Sequence, residues 1–117
     1  MYEYRARVTD VYDGDTITCE VDLGFRFAAK KMKFRLYGIN TPEVRGPERP
    51  EGLKVRDWLR ERILGKDVII KTYKDGTGKY GRWLCDVFPV PDDAPSPTMY
   101  SYNEAMVDLG LAKRATY

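Results

Sequence analysis

The chain has no histidine at any of its 117 positions. That removes every Ser/His or Cys/His nucleophile scheme and every imidazole acid, base or metal ligand. Cysteine is scarce as well: Cys19 and Cys85 each sit in an apolar alternation, without the CxxC or Cys/His spacing of a zinc site. Buried free thiols are expected, with a disulfide as the lesser alternative. No apolar run approaches membrane-spanning length, and the opening "MYEYRARVTD" lacks an apolar h-region. A soluble protein without membrane contact is expected, cytoplasmic unless a leader has been removed. Charge of one sign is also missing, since 20 Lys and Arg against 18 Asp and Glu leave a formal net of +2. Overall balance therefore does not mark a nucleic-acid binder. Any chemistry must run on carboxylates, Arg, Lys, Tyr or a metal held by oxygen.

What is present is local segregation of sign. Lys30, Lys31 and Lys33 crowd one strand and Lys54, Arg56, Arg60 and Arg62 one helical stretch, while Asp10, Asp13 and Asp15 gather near the start. The length suits one domain over residues 1–117, expected to be monomeric. Ile17, Cys19, Val21 and Leu23 alternate with Thr18, Glu20 and Asp22 after the turn "DGD", which reads as strand, turn, strand. Met32, Phe34 and Leu36 alternate with Lys31, Lys33 and Arg35, so a third strand carries Arg35 on its polar face and stops at Gly38.

"NTPEVRGPERPEG" holds three prolines and two glycines and reads as a long loop, a common seat of function. "LKVRDWLRERILG" then sets Val55, Trp58, Leu59 and Ile63 at helical spacing, with Gly65 as the stop. "DVIIKTY", the turn "KDGTG" and "KYGRWLCDVF" read as a second hairpin, followed by the aperiodic "PVPDDAPSP". Ser101 stands three residues before Glu104, a capping box that opens a short helix with Ala105, Met106 and Leu109 on its stripe and Gly110 at its end. Three strands, a helix, two strands and a helix predict a mainly β protein. The architecture that fits is a five-stranded OB-fold Greek-key barrel with one helix between strands 3 and 4 and a short C-terminal helix.

"DGDT", Asp13 to Thr16, is by itself a turn whose carboxylates face water. Asn40 and Glu43, placed after another strand, change that reading, because oxygen side chains at the ends of neighbouring strands can converge on a hard cation. Arg35 and Arg82 are each ordinary alone. Beside a metal and a carboxylate, two planar cationic forks match a phosphodiester and the extra charge of its transition state.

In the order "VTDVYDGDTI", "FRLYGINTPE", "KYGRWL" and "NEAMVDLGLAK", the chain resembles the staphylococcal nuclease-like (thermonuclease) domain, from about Val8 to Lys113. The resemblance implies the OB barrel and a Ca²⁺-dependent endonuclease, with Mg²⁺ or Mn²⁺ as alternative ions, that hydrolyses DNA or RNA with little sequence specificity. Position by position it implies Asp15 as a metal carboxylate, Asn40 where the family usually has a second metal aspartate, and the Thr41 backbone carbonyl as a further ligand. It makes Glu43 the residue that orients or deprotonates water, Arg35 and Arg82 the phosphate arginines, and Lys79 and Tyr80 the binders of a terminal phosphate. Asp13 is the neighbour that supplies charge, by way of water. Asn40 keeps an oxygen but loses a charge, so weaker metal binding is expected. Two other readings stay open: a non-catalytic OB-type nucleic-acid-binding module with a decayed metal site, and an OB scaffold for protein or sugar.

Overall fold

The computed structural model describes residues 2–77, 83–90 and 100–115, with backbone only for 74–77. Five strands close a barrel: β1 (Tyr2–Asp13), β2 (Thr16–Gly24), β3 (Phe27–Leu36), β5 (Asp67–Thr77) and β6 (Trp83–Pro89). Their order round the barrel is β1-β2-β3-β6-β5, with β5 returning to β1. Every pairing is antiparallel except β3 with β6, where Phe34, Arg35 and Leu36 lie parallel to Trp83, Leu84 and Cys85. A long crossover must join such a parallel pair. It contains helix α1 (Arg49–Ile63), between the third and fourth barrel strands as the OB pattern requires. Helix α2 (Tyr102–Asp108) follows the barrel, and two short strands, β4 (Ile39–Asn40) and β7 (Lys113–Arg114), pair with each other.

The alternations do what their period implies. Ile17, Cys19 and Val21 of β2 and Phe34 and Leu36 of β3 point inward and are buried with Val8, Val11, Ile70 and Val87. On α1 the stripe Val55, Leu59 and Ile63 closes one end of this core, with Trp58 packed against it. Gly65 follows the helix at φ 73°, the left-handed stop expected of it. The Ser101 side chain accepts the Glu104 N–H at 3.0 Å and caps α2. Cys19 and Cys85 are buried free thiols, and burial pushes the Cys19 thiol up to about 12.

Several expectations need correction. The loop "NTPEVRGPERPEG" is shorter than it reads, because α1 already begins at Arg49. Pro50 stands in its first turn, where a missing N–H costs nothing and a fixed φ helps. Lys74–Thr77, read as turn, continue β5. Leu109 is exposed, and the inward positions of α2 are Asn103 and Met106. Asn103 is a clamp: its Oδ1 accepts the Val87 N–H at 3.1 Å, and its Nδ2 donates to the carbonyls of Tyr37 at 2.9 Å and Cys85 at 3.2 Å. One amide thus ties α2 to β6 and to the end of β3.

Candidate nuclease site

The "DGD" turn is not a solvated tip. Asp13 and Asp15 are 5% and 7% exposed, pressed under the segment that follows β4. Gly14 permits this close approach. A Cβ there would lie 2.5 Å from Val55 Cγ1 and 2.7 Å from Thr41 Cγ2, so any side chain would drive the turn off α1 and Thr41. Gly52 does the same for the other wall: its Cβ would fall 2.0 Å from the Glu43 carbonyl oxygen. Both glycines hold pieces of one cleft together, which neither's neighbours in sequence reveal.

That cleft, about 490 Å³, is lined by Asp10, Tyr12, Asp13, Asp15, Thr16, Thr18, Lys33, Arg35 and Glu43. Asp15 is its most heavily engaged member. Its Oδ2 accepts Arg35 Nη1 at 2.9 Å and the Thr41 N–H at 3.2 Å, and its Oδ1 accepts the Thr16 hydroxyl at 3.2 Å. The Arg35 Nη2 donates to the Ile39 carbonyl at 3.1 Å and to Asn40 Oδ1. One guanidinium therefore bridges Asp15 and Asn40, and its side chain is only 15% exposed. Charge-assisted bonds of this kind are among the stronger ones a fold makes.

The two aspartates differ in proton affinity. Burial, then the hydrogen bond to Asp15 and the charge of Asp15, push the Asp13 carboxyl up to about 7. Burial also works against an ionised Asp15, but its bond from Asp13, the charge of Arg35 and the Thr41 N–H outweigh that and hold it below its ordinary value. Between the lowered value of Asp15 and about pH 7 the pair holds one proton, carried by Asp13, while the Asp15 N–H donates to Asp13 Oδ1 at 3.1 Å.

Of the residues singled out in the sequence, Asp13, Asp15, Arg35 and Glu43 meet on one cleft. Asn40 touches it through Arg35, while its own exposed surface lines a neighbouring depression with Thr41, Pro42 and Lys113. Lys79, Tyr80 and Arg82 lie outside the described residues, as do Thr116 and Tyr117. Tyr12 went unnoticed in the sequence, although the alternation of β1 puts it on the exposed face together with Asp10. The basic residues of α1 contribute less than their crowding suggested. Lys54 pairs with Glu51, Arg56 with Asp57 and Arg62 with Glu61, and Arg60 donates twice to the Val11 carbonyl, at 3.1 and 2.9 Å.

The oxygens gathered round Arg35 are of the kind a hard cation takes, the Asp15 carboxylate, the Ile39 carbonyl and the Asn40 amide oxygen, and all three accept from its guanidinium. The Thr41 hydroxyl beside them is buried without a hydrogen-bond partner among the described residues. In charge the site is lean. Among the described residues no three acidic or thiol side chains form a ready-made metal cluster.

Fold and cleft together define an OB-type barrel with carboxylates and a guanidinium converging on one cleft. The chain belongs to the staphylococcal nuclease homologue family, whose model matches residues 33–117. Membership supports a hydrolytic, nuclease-type function and a nucleic-acid partner. The "DGDT" turn falls before the matched stretch, and it is the contacts of Asp15 with Arg35 and Thr41 that join it to the family's residues. Among curated proteins none matches the chain. No helix among the described residues is long and apolar enough to cross a membrane.

Proposed function

We propose that the protein is a divalent-metal-dependent endonuclease that hydrolyses phosphodiesters of DNA or RNA with little sequence preference. The convergence of Asp15, Arg35 and Glu43 on one cleft, in a chain of this family, is the observation that supports the reading. Asp15, Asn40 and the Thr41 carbonyl are the residues that would hold a Ca²⁺ ion. Such an ion supplies neutralisation of phosphate charge and polarisation of a phosphoryl oxygen.

The chain's own residues do the rest. Glu43, exposed at the cleft wall, accepts a proton from the water that attacks phosphorus, a service that contributes about 10²–10⁴-fold when the base is positioned. In this reading Arg35 turns its guanidinium from Asp15 and Asn40, which hold it in the structure, to the phosphate, and Arg82 supplies a second fork for the charge that grows on the leaving oxygen. Asp13 keeps a proton-exchangeable carboxyl against Asp15 and so sets how much negative charge the site carries. Lys79 and Tyr80 bind a terminal phosphate. The grip is on phosphate and sugar, which leaves base identity unread.

Cleavage of single-stranded DNA and RNA across Ca²⁺, Mg²⁺ and Mn²⁺ is the test. Activity that EDTA abolishes and Glu43→Ala lowers by at least about 10²-fold is the expected result; full activity in Glu43→Ala sinks the mechanism. One observation favours a second reading, a binding module without catalysis. Arg35 is engaged by Asp15 and Asn40 rather than presented to a phosphate, and Asn40 lacks the charge to draw in an ion. That reading predicts salt-sensitive nucleic-acid binding with no cleavage under any of the three ions.

A further inference from the structure

The hairpin between β2 and β3 carries features that the cleft does not use. Its two-residue loop, Phe25 and Arg26, joins the paired residues Gly24 and Phe27 with both central residues at positive φ, 52° and 66°. That is the backbone signature of a type I′ turn, which Asn-Gly satisfies without strain and bulky residues do not. The Phe25 ring is 95% exposed and Phe27 70%. Lys31, further along β3, is the third non-glycine residue at positive φ among the described residues, at an irregularity where Ala29 and Met32 pair with Val21 and Cys19. Strained, bulky, exposed residues confined to one arm are a pattern that function, not folding, accounts for.

The charges on the arm point the same way. Arg26, Lys30, Lys31 and Lys33 make no ion pair among the described residues, whereas Arg5 and Arg7 pair with Asp67 and, on α1, Lys54, Arg56 and Arg62 pair with acids of the same helix. The acids of the arm are Glu20, half-buried, and Asp22, whose carboxylate accepts the Gly24 N–H at 2.8 Å. Lys33 stands in the wall of the cleft beside Arg35, Lys30 and Lys31 precede it on β3, and Arg26 at the tip lines a depression shared with Glu20, Asp22 and Asp67. Phe27 lies eight positions before Arg35, about 25 Å along an extended strand.

We propose that this arm is a track for single-stranded nucleic acid leading to the cleft, with a base stacked on Phe25 and successive phosphates met by Arg26, Lys30, Lys31 and Lys33. The inference rests on the nucleic-acid reading of the site and extends it to the strand beyond the cleaved bond. Unpaired cations interleaved with exposed flat rings are what a flexible polyanion with stackable bases recognises, and a duplex would withhold its base faces. An occupied length of several nucleotides agrees with the roughly 4–16 that one OB barrel engages.

The test is fluorescence anisotropy of a labelled oligothymidylate of about twenty nucleotides, in EDTA, with the full chain, Phe25→Asn and Lys30→Ala/Lys31→Ala. Asn accepts the left-handed region, so Phe25→Asn removes the ring while relaxing the turn, and weaker binding by a variant that melts no lower cannot be misfolding. Phe25→Asn is expected to weaken binding about 5- to 100-fold. The double lysine variant is expected to weaken it and to flatten the slope of log K against log salt by about 0.7 for each phosphate that the two lysines no longer neutralise. Turnover of a dinucleotide, too short to reach the arm, stays unchanged in both. Wild-type affinity in both variants overturns the track, as does failure of the wild type to bind the oligonucleotide. If no metal gives cleavage yet both variants lose binding, the nuclease reading falls and the track stands. If Phe25→Asn instead loses binding to phosphatidylserine vesicles, or loses self-association in sedimentation, with oligonucleotide affinity intact, the occupant is a membrane or a second copy and the proposal is wrong.

Discussion

Replacing Gly52 by alanine adds one methyl group, and the structure places that methyl 2.0 Å from the Glu43 carbonyl oxygen, 2.5 Å from its carbonyl carbon and 2.9 Å from the Val44 nitrogen. Contacts under 3.0 Å are essentially never seen for a Cβ, so α1 and the Glu43 backbone must separate by at least 1.0 Å. The obstructing atoms are main chain and cannot rotate aside. Helix α1 is also poor at retreating, since Val55, Leu59 and Ile63 are fixed in the core and Arg60 holds the Val11 carbonyl. Displacement therefore falls on Glu43. Overpacking costs about 1–3 kcal/mol, partly offset by the better helix propensity of alanine, about 1 kcal/mol. A shift of about 1 Å at a positioned group costs about 10²-fold in rate. Steady-state cleavage of single-stranded DNA at saturating Ca²⁺, beside urea unfolding, measures both. The expected outcome is a folded variant with kcat about two orders lower. Gly65→Ala is the control: φ there is 73° with nothing within 4 Å, so it strains the helix stop by about 1–2 kcal/mol and leaves kcat alone. A folded Gly52→Ala with kcat within about twofold of wild type refutes the claim that α1 sets the position of a catalytic Glu43.

Asn40→Asp restores a charge beside Asp15 and is expected to tighten Ca²⁺ about tenfold or more by calorimetry; an unchanged affinity means that residue 40 does not hold the ion. The proton on Asp13 gives a stability signature in EDTA. Its pKa is raised on folding, from 3.8 to about 7, so its stabilising contribution is complete below pH 3.8 and is lost as pH rises through 7, at most about 4 kcal/mol at about 1.36 kcal/mol per unit. Asp15, depressed, runs the other way and loses its contribution only when pH falls through its lowered value. Asp13→Asn mimics the protonated acid, so urea midpoints at about pH 5 and pH 8 should differ less in the variant than in the wild type, where burial of Asp86 adds a slope common to both; equal slopes would show that Asp13 does not hold the proton. Asn103→Ala takes the side-chain partner from the buried Val87 N–H and one hydrogen bond each from the Tyr37 and Cys85 carbonyls, the latter keeping the Tyr37 N–H at 2.8 Å, and is expected to cost about 2 kcal/mol in chemical denaturation, with a change under about 0.5 kcal/mol counting against the clamp.

What the sequence disclosed was what is local. The period-2 runs of β2 and β3, the stripe Val55, Leu59, Ile63, the Ser101 cap and the Gly65 stop each depend on residues within one or two turns of themselves, and each is where its pattern put it except Leu23, which is exposed near the hairpin tip where β2 and β3 slip register. What stayed illegible is set by partners far along the chain. Pro50 reads as a loop residue until a helix is packed behind it. Gly14 and Gly52 read as turn glycines, yet their φ is not the reason for them; the reasons are Thr41, Val55 and the Glu43 carbonyl. Arg60 reads as surface charge and serves β1, and Asn103 reads as the start of a helix and serves three carbonyl and amide groups elsewhere. The site divides in the same way. That Asp15, Arg35 and Glu43 share one cleft was legible from the residue types in their motifs, but the balance of charge among them was not. Arg35 is paired with Asp15, and burial with the charge of Asp15 raises the Asp13 carboxyl to about 7, so these two aspartates carry less free charge than their number suggests. Asp13 lies against Asp15, and Asn40 is bridged to Asp15 by Arg35. Asp13 and Asn40 share no motif and no period, and only the fold, through Asp15 and Arg35, brings them to one site.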